Sequence, residues 1–196
     1  MKAPPEAGGV TDDAELVASS VHEPERFALL YDRYFDDIYH YLAARLGREN
    51  ADDLAAETFL IAFRRRTDFD ASRGGTFRPW LYGIATNLVS QHRRTEQRRL
   101  KALGRVSVEY ALDGHEDQVT SRITAEALRP DLVQAMRDLA PGDRDVVFLS
   151  ILGGLGYDEI TQALGIPSGT VGSRLNRARK RLRRALGGQI DPTEED

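Results

Sequence analysis

The sequence predicts an all-α protein of two small helical domains joined by a flexible linker, the second domain carrying a helix-turn-helix. Three observations lead there. Apolar residues recur at three- and four-residue spacings through most of the chain, the period of helices with one buried face. Strand signals are nearly absent, and Arg105-Val106-Ser107-Val108 is the one short alternation. Between Val106 and Pro130 the pattern lapses: Glu109, Asp113, Glu116, Asp117 and Glu126 outnumber Arg122 and Arg129, and Gly114 interrupts any helix. Such a segment has too little apolar surface to build a core.

The boundaries follow from this reading: a disordered N-terminus (1–12), a helical domain (13–100), a linker (101–129), a helix-turn-helix domain (130–187) and an acidic tail (188–196). Residues 1–12 carry Pro4, Pro5, Gly8 and Gly9 among small residues. A first helix begins near Asp12 or Asp13, and Pro24 restarts it. Phe27, Leu30, Tyr31 and Tyr34 form a stripe that Ile38, Tyr41, Leu42 and Leu46 continue across the next helix, up to Gly47. A third helix, Ala51 to Arg66, buries Leu54, Phe59, Ala62 and Phe63, and its terminal arginines suit the negative end of the helix dipole. Thr67 to Thr76 is a loop pivoting on Gly74-Gly75. A fourth helix faces Phe77, Trp80, Leu81, Ile84, Ala85 and Leu88 inward and runs out into basic residues from His92 to Arg99. These helices share an aromatic core.

After the linker, Leu132, Val133, Met136 and Leu139 make a stripe, and Pro141-Gly142-Asp143 opens a helix carrying Val146, Val147, Leu149 and Ile151, which Gly153-Gly154 ends. The stretch YDEITQALGIPSGTVGSRLNRARKRLRRAL (Tyr157–Leu186) then reads as two helices and a tight turn. Ile160, Ala163 and Leu164 line the first. Gly165 stops it, because glycine takes a left-handed position without steric cost. Ser168 caps the next helix, whose inner face is Val171, Leu175, Ala178 and Leu182. Ser173, Asn176, Arg177, Lys180 and Arg184 point the other way. Seven basic residues and no acidic one lie between Val171 and Arg184. A charge run alone is compatible with a solvated face. Here it coincides with the turn glycine, the cap and a stripe that leaves the basic face free, the arrangement of a helix that enters a DNA major groove.

The net charge of −4 does not oppose DNA binding, because the basic residues are clustered and the acidic ones lie elsewhere. With no cysteine, disulfides and thiolate metal sites are excluded, in keeping with a reducing cytosol. No apolar run approaches membrane-spanning length and the first residues lead into no signal-peptide core, so a cytoplasmic protein without membrane insertion is expected.

Two stretches resemble the extracytoplasmic-function group of sigma factors of bacterial RNA polymerase. One is DDLAAETFLIAF (Asp52–Phe63) followed by FRPWLYGIATNLV (Phe77–Val89); the other is the run from Leu139 to Leu186. The resemblance implies a protein with no catalytic site and no cofactor, whose partners are core RNA polymerase, promoter DNA and, as in similar proteins, an anti-sigma factor. It implies polymerase contacts at Asp53, Leu54, Glu57, Thr58 and Phe59, with Ala56 where the family often has glutamine. Phe59 reads equally as core. It implies −10 recognition by Phe69, Asp70, Ser72 and Arg73 in the loop and by Asn87 and Arg94 in the helix after it, a flexible polar backbone beside aromatic and cationic groups. Trp80 lies on the apolar stripe and reads as core. Gly83 and Thr86 stand where basic residues are frequent in the family, and Gln91 where aspartate is.

For the −35 element the resemblance implies Ser173, Asn176 and Arg177 as readers, with Ser168, Thr170, Arg174, Lys180, Arg181 and Arg184 on the same DNA surface and the later cations on phosphates. Gly172 replaces a commonly basic residue and Gly156 the usual serine cap. The alternative reading is a helix-turn-helix regulator whose first domain is a sensor. A DNA-processing enzyme is opposed by the scatter of His22, His40, His92 and His115 and by the lack of HExxH spacing.

Overall fold

The computed structural model describes residues 12–69, 76–102 and 130–185, and among these every regular element is helical. Residues 1–11 of the expected disordered N-terminus, the glycine pivot, the Arg105–Val108 alternation, the linker from residue 103 and the tail lie outside the described residues; Lys101 and Ala102, expected in the linker, are the last turn of a helix.

Helix α1 (Asp13–Ser20) starts where the sequence placed it, with the Asp12 side chain accepting from the Ala14 amide. A 3-10 turn (Pro24–Phe27) leads into α2 (Ala28–Leu46), one continuous helix where the sequence reading had a stripe handed from one helix to the next. Gly47 joins α2 to α3 (Arg48–Arg64) at φ 80°, a value that a side chain would strain. A second 3-10 turn (Arg66–Asp68) follows, so α3 begins earlier and ends sooner than expected. Helix α4 (Phe77–Ala102) lies against α2 and α3. Leu16, Leu30, Ile38, Tyr41, Leu42, Leu81 and Ala85 are buried between them. Phe27 meets Phe63 and Phe77 edge-on at 5.3 and 6.2 Å, closing the expected aromatic core.

In the second half, α5 (Pro130–Arg137), α6 (Pro141–Ile151) and α7 (Tyr157–Leu164) all pack on α8 (Ser168–Ala185). Leu139, Val146, Leu149, Ile160, Val171, Leu175 and Ala178 form the interior. The buried Arg144 guanidinium donates to the carbonyls of Arg137 and Leu139 and pins the α5–α6 bend. Ile151, expected on the buried stripe, is 71% exposed, because α6 ends there and the chain turns outward before Gly154. Gly165 takes the left-handed conformation (φ 61°, ψ 34°) as expected.

The two halves also pack on each other: α4 lies along α7, and a single apolar cluster runs through both. The pattern of either half alone gives no hint of this.

Candidate nucleic-acid interface

Helix α8 shows its two faces as the sequence implied. Val171, Leu175 and Ala178 are buried, while Ser173, Asn176, Lys180 and Arg184 are exposed. Ser168 is the first residue of the helix and not its cap: the Pro167 carbonyl accepts the amides of Thr170 and Val171. The one-residue shift leaves Ser168 exposed and Thr170 half-buried at the end that would approach DNA. The Ser173 hydroxyl donates to the Thr170 carbonyl at 3.0 Å and keeps its lone pairs outward. At the N-terminus of α7, the cap is Gly156 as expected, and the Glu159 carboxylate accepts its amide at 2.9 Å, the half of a capping box that needs no side chain on the cap.

Arg177 has a partner that sequence reasoning missed. Its Nε and Nη2 donate to the two carboxylate oxygens of Asp143 at 3.2 and 2.8 Å. That hydrogen bond, then the charge of Asp143, pushes the guanidinium pKa above its ordinary value. Asp143 is buried at the start of α6, whereas the Arg177 side chain is 59% exposed. One edge of the arginine fork is therefore engaged and Nη1 is directed away from the pair. Arg174 leans over Gly142, whose missing Cβ leaves room for its guanidinium. Arg181 lines an open hollow with Asp131, Gln134 and Asp138 on the α5 side. Lys180, Arg181 and Arg184 are all exposed, as are Arg179 and Arg183, which the motif did not single out.

Of the residues proposed for the −10 element, Asp70, Ser72 and Arg73 lie outside the described residues. Phe69 is half-buried against Phe77 and Trp80, at 6.0 and 5.5 Å between ring centres. It is part of the aromatic cluster and not a free stacking platform. Trp80 is half-buried in the same cluster. Asn87 and Arg94 are exposed on α4. Thr86 is buried, and its hydroxyl both donates to the Tyr82 carbonyl and meets the Tyr41 hydroxyl at 2.8 Å. A long cation there would leave this contact unmade.

On α3, Asp53 and Glu57 are exposed and Leu54 is half-buried. Thr58 and Phe59 are not surface groups: the Thr58 hydroxyl donates to the Leu54 carbonyl, and Phe59 packs on Tyr31 and Phe35. Leu60 is 46% exposed and completes a face with Asp53 and Glu57, at spacings of four and three. Among the described residues no group of three or more His, Cys, Asp or Glu side chains could hold a metal ion, and no helix is long and apolar enough to cross a membrane.

Residues 30–99 match the family description "Sigma-70 region 2", and residues 129–182 match "Sigma-70, region 4". The chain is 34% identical over 171 residues to ECF RNA polymerase sigma factor BldN of Streptomyces coelicolor, with 84% of this chain and 61% of that protein covered. It is 32% identical over 181 residues to ECF RNA polymerase sigma factor SigW of Bacillus subtilis, with 84% and 90% covered. The chain thus spans about three-fifths of the length of the first relative and nine-tenths of the second. The solved structure of CnrH in complex with the cytosolic domain of CnrY shares the fold, with a TM-score of 0.64, 21% identity, and coverage of 90% of this chain and 98% of that one.

Proposed function

The chain belongs to the extracytoplasmic-function sigma factors of RNA polymerase, and from that premise we propose that it docks on core RNA polymerase and directs it to promoters with recognisable −10 and −35 elements. The observation that carries this reading is the pair of matched regions, 2 then 4, in one chain and in that order. A regulator with a sensor domain needs no region 2, so the match over residues 30–99 disfavours the alternative.

The residues divide the work as follows. Asp53, Glu57 and Leu60 present an acidic and apolar face to the polymerase. Asn87 and Arg94 on α4 meet the −10 strand, with Asp70, Ser72 and Arg73, which precede the helix in the sequence. Ser173, Asn176 and Arg177 face base edges of the −35 element, while Lys180 and Arg184 neutralise phosphates. The chain supplies binding energy and no bond-making step, as befits its family. A protein similar in fold, the sigma factor RpoE of Bartonella quintana, is solved in complex with the anti-sigma factor NepR; an anti-sigma factor is a partner of the same kind here, in the cytoplasm.

The test is reconstitution. Core polymerase plus the chain should bind and transcribe a defined set of templates from a random promoter library, enriched for two motifs at fixed spacing. A sensor-type regulator would instead act only on polymerase already carrying another sigma factor.

A further inference from the structure

Helix α1 packs on the 3-10 turn that leads to Phe69, and it precedes the matched region 2, which starts at residue 30. At eight residues it is too short to hold its shape alone, so its place is set by what it touches. Leu16, Val17 and Ser20 are buried on one side of it. Apolar burial is non-directional and would tolerate a sliding helix. The directional contacts sit at the two ends of α1. Each leads to one flank of the segment that holds Asp70, Ser72 and Arg73.

At the first end, one Asp13 carboxylate oxygen accepts from Arg33 and the other from the Tyr34 hydroxyl. The Tyr34 ring lies 5.7 Å from that of Phe77, the first residue of α4, and Phe77 lies 5.7 Å from Trp80. At the other end, the Ser20 carbonyl is one of those that a helix terminus leaves without an intrahelical donor. It accepts from Arg66 Nε at 3.2 Å. The same guanidinium donates through Nη1 to the Phe63 carbonyl at 2.6 Å, and its central carbon lies 4.0 Å from the centre of the Phe63 ring. Arg66 opens the second 3-10 turn, and its carbonyl accepts the Phe69 amide at 3.3 Å. Phe69 packs back on Phe77 and Trp80, so both flanks close on one aromatic cluster.

We infer that α1 is a positioning element for −10 recognition: Asp13 through Tyr34, and the Ser20 carbonyl through Arg66, fix Phe77 and Phe69 on either side of the residues that meet the −10 strand. The inference rests on the reading of region 2 as the −10 binder. None of these four groups is itself a DNA contact. Losing one of them loosens a flank, which a bound strand must then order, so affinity falls while the number of phosphate contacts stays the same.

Two mild variants of the full chain test this. Tyr34→Phe removes the hydroxyl and keeps the ring on Phe77. Arg66→Lys keeps the charge but loses the fork that reaches two carbonyls at once. Trp80 is the one tryptophan of the chain and is half-buried in the cluster, so its fluorescence reports on the flanks without DNA. Both variants should shift its emission to the red and raise its quenching by acrylamide, with the circular dichroism spectrum unchanged. With core polymerase added, both should bind a fluorescein-labelled non-template strand, bearing the −10 motif recovered from the promoter library, about fivefold or more weakly, the order of one net hydrogen bond. The salt slope on that strand and the affinity for the −35 duplex should match the parent, whereas a general loss of stability would lower both affinities. Unchanged Trp80 emission and quenching in both variants would overturn the inference. So would altered emission with parental strand affinity, or equal losses on the strand and the −35 duplex. The fluorescence arm needs neither DNA nor polymerase; a parent holoenzyme that fails to retain the strand would sink the −10 reading itself, and the inference with it.

Discussion

The Asp143–Arg177 pair changes what an arginine at this position can do. A free guanidinium can approach a guanine with either edge, but here Nε and Nη2 are held by a carboxylate from another helix. If Arg177 reads a base as proposed, the pair orients the side chain in advance and lowers the ordering cost of that contact. Arg177→Ala should weaken binding to the preferred −35 duplex about tenfold or more, with a much smaller loss on a scrambled duplex. Asp143→Asn should narrow the gap between the two duplexes, because the fork is no longer fixed. Arg184→Ala should weaken both equally and reduce the slope of log affinity against log salt by roughly one unit. Titrations of the full chain across a salt series separate the three. Equal losses on both duplexes for Arg177→Ala would make it a phosphate contact. Arg177 was legible in the sequence as an outward cation, but its partner was not, since Asp143 lies thirty-four residues away and reads as an ordinary first-turn acid.

At the scale of the element, periodicity and punctuation carried most of the reading. Gly47 and Gly165 stop their helices because each sits at positive φ, and the inner face of α8 is the one its spacing describes. Ile151 failed because a stripe does not say where its helix ends. Thr58 failed because a hydroxyl can satisfy itself on its own helix and go inside. Gly172 stands inside the unbroken α8 for no reason of space, since a Cβ there would meet Tyr157 at an ordinary 3.6 Å. Gly172→Ala should therefore stabilise the protein by about 0.5–1 kcal/mol in urea unfolding, the usual helix-interior difference. On α3, replacing both Asp53 and Glu57 by lysine should weaken association with core polymerase while leaving the circular dichroism spectrum unchanged. Unaltered association would move the docking face elsewhere.

For the whole molecule, the joint between the halves was the feature least visible in advance. Arg45 sits within an apolar stripe, and its partner Asp145 is a hundred residues on, so no local pattern connects them. The same packing buries Tyr41 and Tyr82. Burial, the largest cause, raises both phenols, and Tyr82 is pushed up to about 12. Their folded-state values exceed the unfolded one, so this contribution is fully present below pH 10 and is lost as pH rises from 10 towards 12. Thermal melting should show a falling alkaline limb over that range, and Tyr82→Phe should flatten it.

On the proposed reading, the two regions act together when a polymerase holds both on one promoter. The most direct measurement is run-off transcription by purified core polymerase on a promoter library, with and without the chain. The account predicts transcripts only when the chain is present, starting downstream of two recurrent motifs at constant spacing, and lost when Asn87, Asn176 and Arg177 are all replaced by alanine. Transcripts independent of the chain, or none on any template, would contradict it.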